Sequence, residues 1–398
     1  MSTRAPIWWL ALGTFAIGTE AFMIAPLLPT MAADLGVGVT QAGALVSAFA
    51  LTYALSSPIL TTLAGDLDRR RVLIAAMVFF TAANVLAVVA RDYWWLMAAR
   101  ILLALAAGLY VPNANALASA LVAPEWRGRA LAIVNGGTTL AITFGVPLGG
   151  LLGGAQGWRM TFAGVGVLGA IAVAALVFGL PRSVGAGLPT ATLGQRLGVA
   201  RQPAVLLTLG VTLMWAAGAY VVYPYLALVL EQAARADGTA VGLMLFLWGA
   251  AAAAGLFLGG YLTDRYGAGR VAAPALGLLA LNFVALSMIP RAVPAEIAIW
   301  PIAATIVLWG TAGWSVFPAQ QTRLIELAGP KAAPVALSLN ASFLYLGFSI
   351  GAAVGGSILA RATAGDLGWV AAVAELAAFL VLQGAGLVAH FNRRLSRI

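Results

Sequence analysis

The sequence has no cysteine and a single histidine, His390, close to its C-terminal end. Disulfides, thiolate nucleophiles and cysteine-based metal sites are excluded, and one histidine cannot form a metal cluster, so no metal is expected. Charge is also scarce, at 9% of 398 residues, where a soluble domain carries about a quarter. There is no Gly-x-x-x-x-Gly-Lys loop and no Ser/His/Asp set. The chain is therefore not expected to be an enzyme, to need a cofactor or to draw on ATP. It also lacks a sizeable polar domain, which leaves a membrane receptor or scaffold nothing soluble to signal through.

What is abundant is apolar surface. Hydrophobic residues make up 62% of the chain, more than a water-soluble fold can bury. Twelve spans of ~20 residues use roughly 240 residues and leave about 13 for each remaining segment. Hydrophobic runs give twelve candidates at 8–30, 42–64, 72–90, 94–118, 130–153, 160–180, 204–229, 240–262, 271–290, 296–318, 335–358 and 368–390. The net charge of +9 would suggest nucleic acid in a soluble protein. Here Lys and Arg mark cytoplasmic loops instead, and no nucleic acid is expected as a partner. With a cytoplasmic N-terminus, 16 of the 22 basic residues, from Arg4 to Arg397, fall on the cytoplasmic side. Arg91, Arg159, Arg235, Arg291 and Arg361 fall outside, and Arg100 lies within a span. The first span runs straight on from the N-terminus and reads as a retained helix, so both termini are expected in the cytoplasm.

The polar stretch 181–203 divides the chain into expected bundles at 1–180 and 204–398, and residues 192–201 within it form a candidate surface helix. Local features recur in both halves. The loop after span 2 carries Gly65, Asp66, Asp68 and Arg69 to Arg71, and the loop after span 8 carries Gly260, Asp264, Arg265, Gly267 and Arg270. Span 5 runs from Asn135 to Gly149 and Gly150, and span 11 from Asn340 to Gly355 and Gly356. A six-plus-six duplication explains this economically. Gly145, Gly149 and Gly153, like Gly347, Gly351 and Gly355, recur every four residues and give each helix a smooth face. Such a face suits either a sliding interface or static tight packing.

At these residues the sequence resembles the major facilitator superfamily, and within it the drug:proton antiporter branch that includes chloramphenicol-type and sugar or nucleoside efflux pumps. The match covers nearly the whole chain. Gly18, Thr19, Glu20, Phe22, Leu27, Leu28 and Pro29 followed by Asp34, Gly36 and Val37 resemble the branch's first-helix signature. Arg100, Gly108, Pro112 and Asn113 resemble the span 4 motif, and Ser338, Asn340, Gly347, Gly351, Gly355 and Gly356 resemble span 11. Pro124, Glu125, Trp126, Arg127, Arg129, Gly157, Trp158 and Arg159 resemble the loops flanking span 5. Two departures stand out. The first-half loop has Gly65 and Asp66 where Asp-Arg is usual and Asp68 where Gly is usual, while the second half keeps Asp264, Arg265 and Gly267. The span 5 motif Gly145, Pro147, Gly149, Gly150 has its proline one residue later than usual.

The resemblance implies an all-α membrane protein of twelve transmembrane helices in two pseudo-symmetric six-helix bundles. It also implies a monomer in the bacterial inner membrane, powered by the proton gradient, with a small hydrophobic or amphipathic molecule, protons and the lipid bilayer as partners. Multidrug efflux by alternating access is the leading reading, and a proton-coupled uptake symporter is its nearest alternative.

Glu20 is the most informative residue. A carboxylate at the middle of a lipid-embedded helix costs roughly 2.5–3.5 kcal/mol or more, so it should face protein or an aqueous cavity, where it can load and release a proton. A hydrogen-bonded Glu that only fixes packing is the bland alternative. Helix rise puts Glu20 and Arg100 at similar depths, about 12 Å and 8 Å below the outer surface, which permits pairing. Arg100 serves either coupling or a structural pin between spans 1 and 4. Asp34, at the outer end of span 1, is a secondary coupling candidate for which a helix-end cap is the better explanation. Glu375 is expected to snorkel or pair locally rather than couple.

Met23, Asn113, Asn135, Trp215, Tyr220, Tyr223, Trp248, Trp309 and Asn340 are candidates for the cargo cavity, since apolar walls with a few polar groups suit amphipathic molecules. For any one mid-span aromatic, packing is the more common role. Trp8, Trp9, Trp94, Trp95, Trp158 and Trp369 lie near span ends and read as interfacial anchors. Asp66, Arg70, Gly145, Pro147, Gly149, Asp264, Arg265 and Arg270 are the candidates for gating.

Overall fold

The computed structural model describes residues 5–123, 126–181 and 191–395, with side chains throughout except at 330–331 and 385–395. Pro124 and Glu125 of the span 5 loop motif, residues 182–190 of the linker and the side chain of His390 lie outside the described set. So do residues 1–4 and 396–398, and with them the expected placement of both termini.

The described chain is helical throughout. Eleven helices are long and apolar enough to cross a membrane, and a bent pair makes up to twelve. That pair is α1 (Ala5–Phe22) and α2 (Ile24–Asp34), which meet at Met23 with a 49° bend. There follow α3 (Val39–Leu63), α4 (Arg69–Val88), α5 (Tyr93–Ala120), α6 (Arg127–Leu140), α7 (Val146–Gln156) and α8 (Trp158–Gly179). A short helix α9 (Leu193–Ala200) leads to α10 (Pro203–Val222), α11 (Leu226–Ala234), α12 (Gly238–Tyr266), α13 (Ala268–Ala292), α14 (Ile299–Leu359) and α15 (Leu367–Leu395). α14 is two spans, Ile299–Gly329 and Ala332–Leu359, joined where Gly329 takes φ 75°, a left-handed angle that glycine adopts without steric cost.

The chain forms two compact units. Unit 1 comprises Met1–Leu193 with Gly238–Gly249, and unit 2 comprises Gly194–Asp237 with Ala250–Ile398. The expected division had assigned all of 204–398 to the second bundle, whereas the first turns of α12 pack with unit 1: Thr143 donates to the Gly249 carbonyl at 3.2 Å, and Phe144 lies 6.3 Å from Phe246 between ring centres. In unit 1, α1 packs on α6 and α8, α5 on α3 and α4, and α4 on α8. In unit 2, α10 and α13 each pack on both α14 and α15.

Close helix approach is built the same way in both units. A Cβ on Gly145 would strike the Thr19 side chain, and one on Gly153 would strike Leu27. On the second arm of α14, a Cβ on Gly347, Gly351 or Gly355 would strike the backbone carbonyl of Leu213, Ala217 or Val221 in α10. Both contacts advance four residues at a time, so each glycine stripe lies along one face of the facing helix.

The α6–α7 span carries a π-helical turn at Ala141–Gly145, immediately before Pro147. Proline supplies no backbone N–H to the carbonyl four residues back, and the wide turn absorbs that loss. α9 confirms a helix within residues 192–201, but it is docked onto protein: Arg196 and Val199 are buried, and Val199 joins Val205, Leu209, Leu324, Ala336 and Leu339 in one cluster of unit 2. Only its other face, with Leu193 and Leu197, is exposed.

Candidate functional site

Glu20 lies on α1, one turn before the break at Met23, and has no exposed surface. Arg100, on α5, is equally buried, and its Nη1 forms an ion pair with Glu20 Oε1. Arg100 is anchored besides by α3. Its Nε donates to the Leu45 carbonyl at 3.4 Å, and its guanidinium lies 4.3 Å from the centre of the Phe49 ring. Three helices therefore converge on one buried charge pair. The second carboxylate oxygen of Glu20 has no hydrogen-bond partner among the described residues. A buried pair resists loss of one partner by about 3–5 kcal/mol, because the other charge is left uncompensated.

Asp34 belongs to a different place. It accepts from Arg159 at 2.5 Å and from Trp158 Nε1 at 3.1 Å, at the N-terminus of α8. Arg159 also donates to the Ala90 carbonyl at 2.9 Å, so a half-exposed cluster closes one end of unit 1, fourteen residues from Glu20. Trp158 is buried, at 3% exposed, and meets Phe162 edge-on. It is not an interfacial anchor, because its indole N–H is used by Asp34.

Several cavity candidates are held elsewhere. Asn113 accepts from Arg69 at 2.5 Å and donates to the Leu109 carbonyl. Arg69 is itself buried, a role that its position in a basic loop run did not suggest. Met23 is fully buried with its Cβ against Gly149, so it packs rather than lines a cavity. Asn135 is exposed and accepts from Asn115 at 3.2 Å. Trp248 is buried in the part of α12 that belongs to unit 1.

The remaining candidates gather within unit 2. Tyr220 stacks on Phe348 at 3.7 Å and leans on Tyr223, and Tyr223 meets Trp309, which meets Phe283 at 5.1 Å. Trp215 meets Trp314 edge-on at 6.4 Å. Asn340 accepts from Thr212 at 2.8 Å, and Gln320 donates to the same Thr212 hydroxyl at 3.2 Å. Phe348, Trp314 and Gln320 were not singled out from sequence, since apolar spans carry no stripe that tells their facing.

Of the gating candidates, Arg70 donates to the Leu180 and Val177 carbonyls at 3.0 and 2.7 Å. A cation at the C-terminus of α8 is favoured by the helix dipole, so Arg70 pins α4 to α8. Asp66 is exposed, and Asp68 caps α4 by accepting from the Arg71 amide at 2.9 Å. Asp264, Arg265 and Arg270 are exposed, with Arg265 donating to the Tyr261 hydroxyl at 3.0 Å.

Twelve spans, a duplicated helix-packing scheme and a buried charge pair on the first broken helix now stand beside a match to the Major Facilitator Superfamily over residues 10–352 and 208–391. The chain belongs to that superfamily. It is a multi-pass membrane transporter, with a small-molecule substrate and the bilayer as its partners. It is 34% identical over 359 residues to the inner membrane transport protein YdhP of Escherichia coli K12, covering 90% of each chain. It is 33% identical over 380 residues to the MFS-type transporter YbcL of Bacillus subtilis, covering 96% of this chain and 95% of that one. With a chloramphenicol resistance protein of Streptomyces lividans it shares 32% over 388 residues, covering 94% and 95%. Its fold is similar to that of the human organic anion transporter MFSD10, at a TM-score of 0.70 and 16% identity, with 96% of this chain and 98% of that one covered.

Proposed function

We propose that this superfamily member is a secondary active exporter that exchanges protons for a small hydrophobic or amphipathic molecule by alternating access, powered by the proton gradient alone. The observation that carries the reading is the fully buried Glu20–Arg100 pair beside the break between α1 and α2. An ionisable pair in a membrane interior is expensive and marks a functional pathway by default. Protonation of Glu20 would weaken its hold on Arg100 and free the break between α1 and α2 to move. The similarity to a chloramphenicol resistance protein supports a drug-like cargo. Tyr220, Tyr223 and Trp309 pack ring on ring inside unit 2 and Trp215 packs on Trp314, an aromatic interior with few polar groups that suits such a molecule once the rings part to admit it. The same reading makes the protein a monomer of the bacterial inner membrane with both termini in the cytoplasm, an orientation that the distribution of Lys and Arg supports.

The test is transport in proteoliposomes under an imposed pH gradient, with chloramphenicol first and dyes, sugars and nucleosides after it. Proton movement opposite to the cargo supports antiport. Movement of both in one direction would make the protein a symporter, and absence of flux for every class would overturn the exporter reading.

A further inference from the structure

Glu375 stands just over two turns into α15, eight residues after Leu367, with no exposed surface. Neither of its carboxylate oxygens has a hydrogen-bond partner among the described residues. It does not snorkel and it is not paired, contrary to the expectation from sequence. Its seat is made by Gly218 on α10: a Cβ there would lie 2.7 Å from Glu375 Oε1 and 3.1 Å from the Ala371 carbonyl. The carboxyl thus rests against bare helix backbone.

The position of Gly218 is informative. It stands six residues before Pro224, where α10 breaks into α11, and Glu20 stands six residues before Pro26, beside the break between α1 and α2. The glycine stripes agree with that register. The first, at Gly145, touches Thr19, just before Glu20, and the second, at Gly347, touches Ala216 and Ala217, just before Gly218. Where unit 1 has a carboxylate, unit 2 has a glycine, and a carboxyl from α15 fills the space.

No cation faces it. The titratable side chain of α10 is Tyr220, turned onto Phe348 and Tyr223. α13 carries charge only at its ends, in Arg270 and Arg291, and Arg291 is held by Asp366 and the Ser287 carbonyl. Asp366 lies nine residues from Glu375, about 14 Å along a helix. α14 contributes Tyr345, which meets Phe348, and Arg323, Glu326 and Lys331 around its bend at Gly329. On α13, Asn282 and the Ser287 hydroxyl are buried polar groups without partners, and Gly368 of α15 lies against Phe283 and Ser287. An ionised carboxylate buried without a cation or hydrogen bonds is too costly to persist, whereas the neutral acid is tolerated.

We propose that Glu375 is a second, exchangeable proton site, carried by unit 2, which holds its proton without an ion-pair partner. The bound ligand is the proton itself, and the site is separate from the Glu20–Arg100 pair. Because its proton-bound form is the resting one, replacement by the neutral isostere is benign to the fold.

The test needs no cargo and is therefore independent of the antiport reading. Infrared titration of the purified full-length protein from acid to alkaline pH is compared for the wild type, Glu375→Gln and Glu20→Gln, together with carbodiimide labelling mapped by mass spectrometry. The expected result is a protonated-carboxyl band that is absent in Glu375→Gln, present in Glu20→Gln and lost reversibly on alkalinisation of the wild type. Carbodiimide should modify the peptide that contains Glu375, and the melting temperature of Glu375→Gln should match that of the wild type. A wild-type spectrum lacking this band would mean an ionised Glu375 and overturn the proposal. A band that never titrates would mean a sealed structural acid and overturn it equally. A Glu375→Gln variant that fails to fold would contradict a neutral resting form, and Glu375→Asp, which keeps the acid, would then show whether the band survives.

Discussion

In unit 1 the buried carboxylate of Glu20 meets the guanidinium of Arg100, while in unit 2 the equally buried Glu375 meets the backbone of α10 at Gly218. The glycine stripes that bring Gly145 against α1 and Gly347 against α10 follow one plan. The charges do not. The duplicated helix packing and the placement of ionisable groups are thus separate properties, and the two halves surround their carboxyls differently. Around Glu20 the partner is a cation fixed by α3, whereas on α10 of unit 2 the side chains near Gly218 include Tyr220, which meets Tyr223, which in turn meets Trp309.

The largest effect should come from removing the cation. Arg100→Met deletes the partner of a fully buried carboxylate, and the expected loss is about 3–5 kcal/mol of stability unless Glu20 takes up a proton. Thermal unfolding in detergent at neutral and acid pH checks this, with the variant recovering at acid pH. The second comparison concerns the stripes. Gly351→Ala drives a Cβ into the backbone carbonyl of Ala217, whereas Gly149→Ala meets the Thr161 methyl at 3.0 Å and Met23 at 3.5 Å, which side-chain movement can relieve. Overpacking costs roughly 1–3 kcal/mol, so Gly351→Ala should lower the melting temperature clearly more than Gly149→Ala. A bulkier residue at Gly149 should block transport while still inserting, and retained transport would favour static packing over a moving interface. The smallest effect is expected from Arg159→Gln, since its pair with Asp34 is half exposed. Such pairs are worth about 0–1 kcal/mol, and a change in melting temperature as large as that of Arg100→Met would contradict the assignment of Asp34 to a peripheral clamp.

Much of the architecture was readable from run lengths, because a helix that crosses lipid must be long and apolar and must satisfy its own backbone. Glu20 and Arg100 were readable for a related reason: an ionisable residue in such a run has few explanations. Facing was not readable. A helix apolar on every side has no stripe to report which residues turn inward, so α15 gave no sign that Glu375 is sealed against Gly218, and Met23 passed for a cavity residue. Arg69 was hidden differently. It sits in a basic run whose obvious explanation is topology, and only the fold brings its guanidinium to Asn113. Trp158 misled because nearness to a span end says nothing about the acceptor that Asp34 supplies.

The central claim is that the Glu20–Arg100 pair exchanges a proton during transport rather than merely pinning α1 to α5. A transporter that protonates Glu20 in its cycle must tolerate the neutral side chain, and glutamine mimics that state while keeping an acceptor for Arg100. The decisive measurement is uphill, pH-gradient-driven efflux by Glu20→Gln in proteoliposomes, with the melting temperature measured on the same preparation. The expected result is a folded protein, its melting lowered because buried Arg100 has lost its counterion, that equilibrates cargo but no longer concentrates it. Undiminished uphill efflux would contradict the account.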